Sequence, residues 1–299
     1  MWLGLTFLSA FLLGLYEICK KVSLNKNAVI PVLFLNTLFS SLLFVPFIIL
    51  SFCYPEQIRD TLFFVPQVSF KTHGFILIKS FIVLSSWIFA YFATKHLPMT
   101  FIGPIKATQP VMVLIGALLI FSERLNMLQW IGVLLSVLSF YLLSMAGKKE
   151  GIDFRKNKWV IFMVLSVITG ATSGLYDKYL MRQFDVMTVQ VWYNLYQCLI
   201  MAIVLIALWY PFKAKTTPFQ WRWSIILISV FLTIADFVYF YALSFPDSMI
   251  SIVSMVRRSN VIVIFIAGVL IYKEKNLKNK VIDLALVLLG MFFLYLGSK

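Results

Sequence analysis

Apolar residues run along this chain in long blocks separated by short polar segments. A helix needs about 20 mostly apolar residues to cross the hydrocarbon core of a bilayer. Ten blocks meet that length, at about 2–24, 28–52, 72–96, 98–122, 127–147, 158–181, 186–209, 222–245, 248–272 and 279–298. The connections are short, so the pattern predicts antiparallel neighbours. The first block is too long, and too free of a preceding basic region, for a cleaved secretory signal, and it reads as the first span. A polar stretch from Gly147 to Lys156 lies near the midpoint. It divides the ten spans into a first unit at 1–147, a basic linker at 148–157 and a second unit at 158–299.

Short segments recur between the two units. Ala10-Phe11-Leu12-Leu13-Gly14-Leu15-Tyr16-Glu17 in the first span matches Gly170-Ala171-Thr172-Ser173-Gly174-Leu175-Tyr176-Asp177 in the sixth. Both place a small residue four positions before a glycine, a spacing that lets helix backbones approach closely. The fourth span ends Phe121-Ser122-Glu123-Arg124 and the ninth ends Tyr272-Lys273-Glu274-Lys275, and at the same offset of 151 Lys106 falls on Arg257. Because each unit holds an odd number of spans, the second copy enters the membrane from the opposite side. The expectation is an all-α membrane protein of ten transmembrane helices in two inverted five-helix repeats. That architecture places a substrate site near the midplane and supports alternating access.

Composition narrows the function classes. The chain is 61% hydrophobic and 13% charged, with mean hydropathy +0.92, whereas a soluble domain is about a quarter charged. A water-soluble enzyme and a disordered chain are excluded. The net charge of +14 does not indicate nucleic acid, because the cations sit mostly in the short connections, where a bilayer protein keeps them. Cys19, Cys53 and Cys198 are an odd number without metal-ligand spacing, so neither a disulfide framework nor a metal site is expected. There is no P-loop, H-E-x-x-H or G-x-S-x-G. The expected protein is therefore no enzyme, carries no cofactor, and works as a facilitator, exchanger or ion-coupled carrier.

The five-plus-five plan, the Gly-Leu-Tyr-acid step, and the Glu123-Arg124 and Glu274-Lys275 helix ends resemble the EamA-type branch of the drug/metabolite transporter superfamily. The resemblance extends over nearly the whole chain in two tandem copies. It implies a secondary transporter of the cell (inner) membrane with both termini in the cytoplasm. It leaves the cargo open, since members move amino acids, drugs, nucleotide sugars and phosphorylated sugars.

The informative residues are ionisable ones deep in the spans, where an unpaired charge costs about 2.5–3.5 kcal/mol on insertion scales. The deep cations are Lys79, Lys106, Arg257 and Arg258, and the deep acids are Glu17, Asp177 and Asp236. Pro104 and Pro110 flank Lys106 and should kink its helix, freeing carbonyls that only protein or a water-filled cavity can satisfy. Repeat symmetry should bring Lys106 towards Arg257. Adjacent residues point about 100° apart on a helix, so one of Arg257 and Arg258 faces the pathway while the other reaches it from the side or meets an acid. A lysine beside an arginine fork suits a carboxylate or phosphate. In the alternative reading these cations pair with the three acids and only hold the bundle together. Lys106 and the Arg257-Arg258 pair are also similar to the helix-4 lysine and helix-9 basic pair with which plastid phosphate translocators bind phosphate. That similarity implies the chemistry of anion recognition only.

Glu17, Asp177 and Asp236 are candidates for proton coupling. Against that, Glu17 and Asp177 also read as solvated helix-end acids beside Lys20, Lys21 and Lys178. Gln109, Asn260, Tyr16, Tyr176, Asn36 and Asn194 complete the candidate substrate lining, with Trp87, Tyr91, Trp192 and Tyr239 as further aromatic positions. The expected partners are a small-molecule substrate, a coupling proton and the lipid bilayer. A chain holding both repeats can act as a monomer, and a homodimer stays open. Topology is contested. The connections 1–2, 3–4, 5–6, 7–8 and 9–10 carry 16 of the 26 Lys and Arg, and the opposite side 6, which places both termini outside, against the resemblance. Within transport, the rival to an organic-anion carrier is an exporter of amino acids or hydrophobic drugs. A non-transporting subunit or lipid-handling protein is the rival from another class.

Overall fold

The computed structural model describes residues 2–109, 111–113, 126–149, 156–181, 183–245, 253, 256–273 and 277–297. It is 84% helix, with no strand among the described residues. Helices α1 (Trp2–Leu24), α2 (Val29–Cys53), α3 (Phe70–His96), α4 (Met99–Ala107), α5 (Met127–Lys149), α6 (Lys158–Met181), α7 (Val186–Val204), α8 (Ser224–Ser244), α9 (Asn260–Leu270) and α10 (Leu277–Gly297) follow the apolar blocks. Among the described residues, six spans are long and apolar enough to cross a membrane: α1, α2, α3, α6, α8 and the stretch Val186–Lys215 that begins with α7. The Glu123-Arg124 and Glu274-Lys275 helix ends, Pro110 and linker residues 150–155 lie outside the described residues.

The burial pattern is that of a bundle whose solvent is lipid. Phe7, Phe11, Ile78, Phe81, Leu199 and Ile203 are exposed, while Thr6, Ser9, Ser23, Thr37, Ser80 and Ser229 are fully buried. Lipid tails are as apolar as leucine, so helices associate through close packing of small residues and through hydrogen bonds. Ser9 Oγ donates to the Ala235 carbonyl at 2.7 Å, and Ser41 Oγ donates to the Asn194 carbonyl at 2.8 Å.

Packing follows the repeat. α1 lies along α8, and α3 along α6; α2 meets α7, α4 meets α9 and α5 meets α10; α8 rests on α2, and α3 on α7. Exchanging the first five helices with the last five maps this pattern onto itself. The helix directions are opposed as well. Lys21 Nζ at the end of α1 donates to the carbonyls of Thr94 and Leu97 at the end of α3. His96 at that same end of α3 stacks on Trp159 at the start of α6, with ring centroids 3.6 Å apart. Arg222, just before α8, donates to the carbonyls of Val22 and Asn25. The ends of α1 and α3 thus share one side of the bundle with the starts of α6 and α8, so α1 and α6 run in opposite senses.

The matched glycines are not in matched surroundings. A Cβ on Gly14 would lie 2.5 Å from Cβ and Cγ1 of Val263, whereas one on Gly174 would meet nothing within 4 Å among the described residues. The α1–α9 crossing is closed at Gly14, whereas no described residue closes on Gly174. Gly14→Ala is expected to destabilise the protein by about 1–3 kcal/mol through overpacking. Gly174→Ala should be neutral, or stabilising by up to about 1 kcal/mol through helix propensity. Thermal unfolding of both variants in detergent checks the difference.

Candidate functional site

The site is built around two helix interruptions. In α4, Pro104 brings no backbone N–H to the helix ladder, and the helix stops at Ala107, with Thr108 in a turn. The Thr108 N–H bonds the Ile105 carbonyl at 3.2 Å and the Val111 N–H bonds the Thr108 carbonyl at 3.0 Å. At the offset of 151, the Ser259 N–H bonds the Val256 carbonyl at 3.0 Å and the Ile262 N–H bonds the Ser259 carbonyl at 2.9 Å. The second turn interrupts the helical residues 256–258 and 260–270 with no proline present. Lys106 and Arg257 each stand two residues before a break. Broken helices of this kind are where carriers hold ionic substrates.

Three carboxylates organise the cations. Glu17 accepts from Lys106 Nζ at 2.5 Å on Oε1, and its Oε2 lies 2.7 Å from Lys20 Nζ. Asp177 pairs with Lys79, and Asp236 pairs with Arg257 through its Nη2. Tyr193 connects the last two pairs, because its hydroxyl donates to Asp236 Oδ2 at 3.0 Å and its ring centroid lies 5.0 Å from Lys79 Nζ. The Arg257 guanidinium carbon sits 3.9 Å above the Tyr239 ring. Glu17 and Lys20 are buried at 3% and 0% exposure. This corrects the helix-end reading of Glu17 and the assignment of Lys20 to the connection.

Arg258 differs from the other deep cations. It is half-buried and, among the described residues, makes no hydrogen bond or ion pair. Lys106 and Arg257 are held by different carboxylates, Glu17 and Asp236.

The remaining predicted lining residues are dispersed. Tyr16 is buried, with its ring centroid 4.6 Å from Lys20 Nζ, whereas the Tyr176 hydroxyl donates to the Phe75 carbonyl at 3.2 Å on the far side of the bundle. Gln109 is buried against Gly170 of α6, and Asn260 is buried at the resumption of α9. Asn36 and Asn194 belong to a polar seam between α2, α7 and α8. The Asn36 carbonyl accepts from Ser229 Oγ at 3.1 Å, and Asn194 Nδ2 donates to the Gln190 carbonyl at 2.7 Å. Both amide atoms of Asn36 and both of Gln197 are buried without a partner among the described residues.

The EamA-like transporter family model matches residues 1–145 and again 157–296. The chain belongs to the EamA-like transporter family. No curated protein matches it. A solved structure described as "Crystal structure of protein" aligns with 99% of this chain and 98% of its own at 13% identity with TM-score 0.62, and that likeness shows a shared fold. EamA-like proteins are membrane transporters of the drug/metabolite type rather than enzymes, and this one is a multi-pass integral membrane protein.

In this EamA-like chain, sequence reading missed Lys20 because three apolar-to-polar changes near the end of α1 look like a helix terminus. It missed Tyr193 because an aromatic in an apolar span carries no mark of its partner. Asp236→Asn is expected to lower stability by about 3–5 kcal/mol, since it leaves Arg257 unpaired in the interior. Adding Arg257→Gln should recover most of that loss, which a double-mutant cycle of unfolding temperatures measures. Asn36→Leu removes an amide with nothing to bond and is expected to be neutral or stabilising by about 1 kcal/mol in the same assay.

Proposed function

We propose that this protein is a secondary transporter that moves a small organic anion, carboxylate or phosphorylated, across the cell (inner) membrane by alternating access. In this reading ten spans form two inverted five-helix repeats, at 1–147 and 158–299, joined by the linker 148–157. The observation that carries it is the charge balance of the interior. Among the described residues, Lys20, Lys79, Lys106, Arg257 and Arg258 are gathered around Glu17, Asp177 and Asp236, while the further buried carboxylate, Asp283 on α10, is in none of these ion pairs. One guanidinium, that of Arg258, has no carboxylate among the described residues, and one carboxylate, that of Glu17, is shared by two ammonium groups. Uncompensated charge at that depth is tolerated beside a cavity or a ligand of opposite sign. Arg258 supplies a planar fork for a carboxylate or phosphate, Lys106 a second positive charge, and Lys79 and Arg257 hold the surrounding carboxylates.

The pairing of Lys79, Lys106 and Arg257 favours a second reading, in which the cations are structural and the cargo is an amino acid or a hydrophobic drug. Proton coupling through Glu17, Asp177 or Asp236 would exchange one of these ion pairs for a proton. A thermal-shift screen of detergent-purified protein against succinate, a sugar phosphate, a neutral amino acid and a hydrophobic cation separates the readings, since a ligand of the folded state raises its stability by mass action. Succinate or sugar phosphate should stabilise the wild type. Arg258→Gln should weaken that binding at least tenfold while leaving the unliganded unfolding temperature unchanged. Shifts produced by neutral or cationic compounds and preserved in Arg258→Gln would establish the second reading instead.

A further inference from the structure

Glu17 holds two cations where one would neutralise it. Its Oε1 accepts from Lys106 at 2.5 Å and its Oε2 faces Lys20 at 2.7 Å. The two lysines are not equivalent. The Lys20 side chain is 1% exposed and that of Lys106 13%. Lys20 Nζ also lies 4.6 Å from the Tyr16 ring centroid and 5.2 Å from that of Tyr91, and aromatic faces attract a desolvated ammonium. It is therefore enclosed on all sides by its carboxylate and two rings. Lys106 stands two residues before the break in α4 at Thr108, where the helix ladder no longer fixes its position from the carboxyl side.

We infer that Lys20 is a positioning residue that keeps Glu17 neutralised so that Lys106 can leave it for the transported anion; this rests on the anion reading proposed above. The exchange forms no covalent bond. Lys106 swaps one anionic partner for another, and Glu17 keeps Lys20 throughout. Without Lys20, Glu17 would be a buried carboxylate dependent on Lys106 alone, and the incoming anion would have to compete with it. The second repeat lacks this device. The position matching Lys20, one turn beyond the acid in α6, is Leu180, fully buried among apolar residues, and Asp177 is paired across the bundle with Lys79.

The test measures dissociation constants of succinate and inorganic phosphate for the full-length protein in detergent, in the wild type, Lys20→Gln, Lys20→Arg, Glu17→Gln and Glu17→Gln/Lys20→Gln. Lys20→Gln is expected to weaken anion binding at least tenfold, and Lys20→Arg to retain it. The double variant should return to within about threefold of wild type, because nothing then competes for Lys106. A role confined to packing predicts the reverse, with the double variant at least as weak as Lys20→Gln. Should Lys20→Gln fail to fold, Glu17→Gln and the double variant carry the same question: they should bind equally, since Lys20 acts only through Glu17. Wild-type affinity in Lys20→Gln, or a tenfold gap between Glu17→Gln and the folded double variant, overturns the inference and leaves the anion reading standing. Wild-type protein that binds neither probe overturns both.

Discussion

A charge inside a bilayer must find a counter-charge, a hydrogen-bonding shell or a path to water, and the interior of this protein is arranged around that requirement. Glu17 on α1, Asp177 on α6 and Asp236 on α8 are each bonded to a cation of another segment: Lys106 of α4, Lys79 of α3 and Arg257 of the helical residues 256–258 that precede α9. The Asp177–Lys79 pair joins the two repeats and the other two pairs each join helices within one repeat, where apolar contact alone discriminates weakly between helix and lipid. Small residues let the backbones come close enough for those bonds. Gly14 against Val263 is the tightest such approach in α1.

The repeat is kept in the backbone and broken in the side chains. Hydrogen bonds at 105–108 and 256–259 coincide at a fixed offset, and the helix-packing pattern is unchanged when the two halves are exchanged. Yet Glu17 has two cations while Asp177 is held by Lys79, and Gly14 is packed against Val263 while Gly174 meets no described residue within 4 Å. Under the alternating-access mechanism proposed above, the two halves would exchange such local arrangements between states.

The polar seam of α2, α7 and α8 adds a second kind of imbalance. Asn36, Ser40, Gln190 and Gln197 lie fully buried with hydrogen-bonding capacity left unused among the described residues. Each such group costs about 1–3 kcal/mol relative to a bonded one. A seam that is costly when dry becomes less so once its helices part and admit water. The seam reaches the charged region through Asn194, next to Tyr193, and through Asp236 on α8, whose carboxylate accepts the Tyr193 hydroxyl.

Most of the fold was legible in the sequence because hydrophobicity and periodicity are local properties. The spans, the two halves, the deep cations and acids, and the break after Lys106 all follow from residues near one another in the chain, the break from Pro104 and Pro110. The matching break at Ser259 was not legible, since no proline announces it. Nor was the depth of Lys20, whose place inside the bundle depends on Tyr91 of α3 and Lys106 of α4 meeting it there. The sequence by itself determined that these charges would enter the membrane. Only the tertiary structure decided that Arg257 would be paired with Asp236 and that Arg258 would have no carboxylate among the described residues, because a charge pair is fixed by which helices lie side by side.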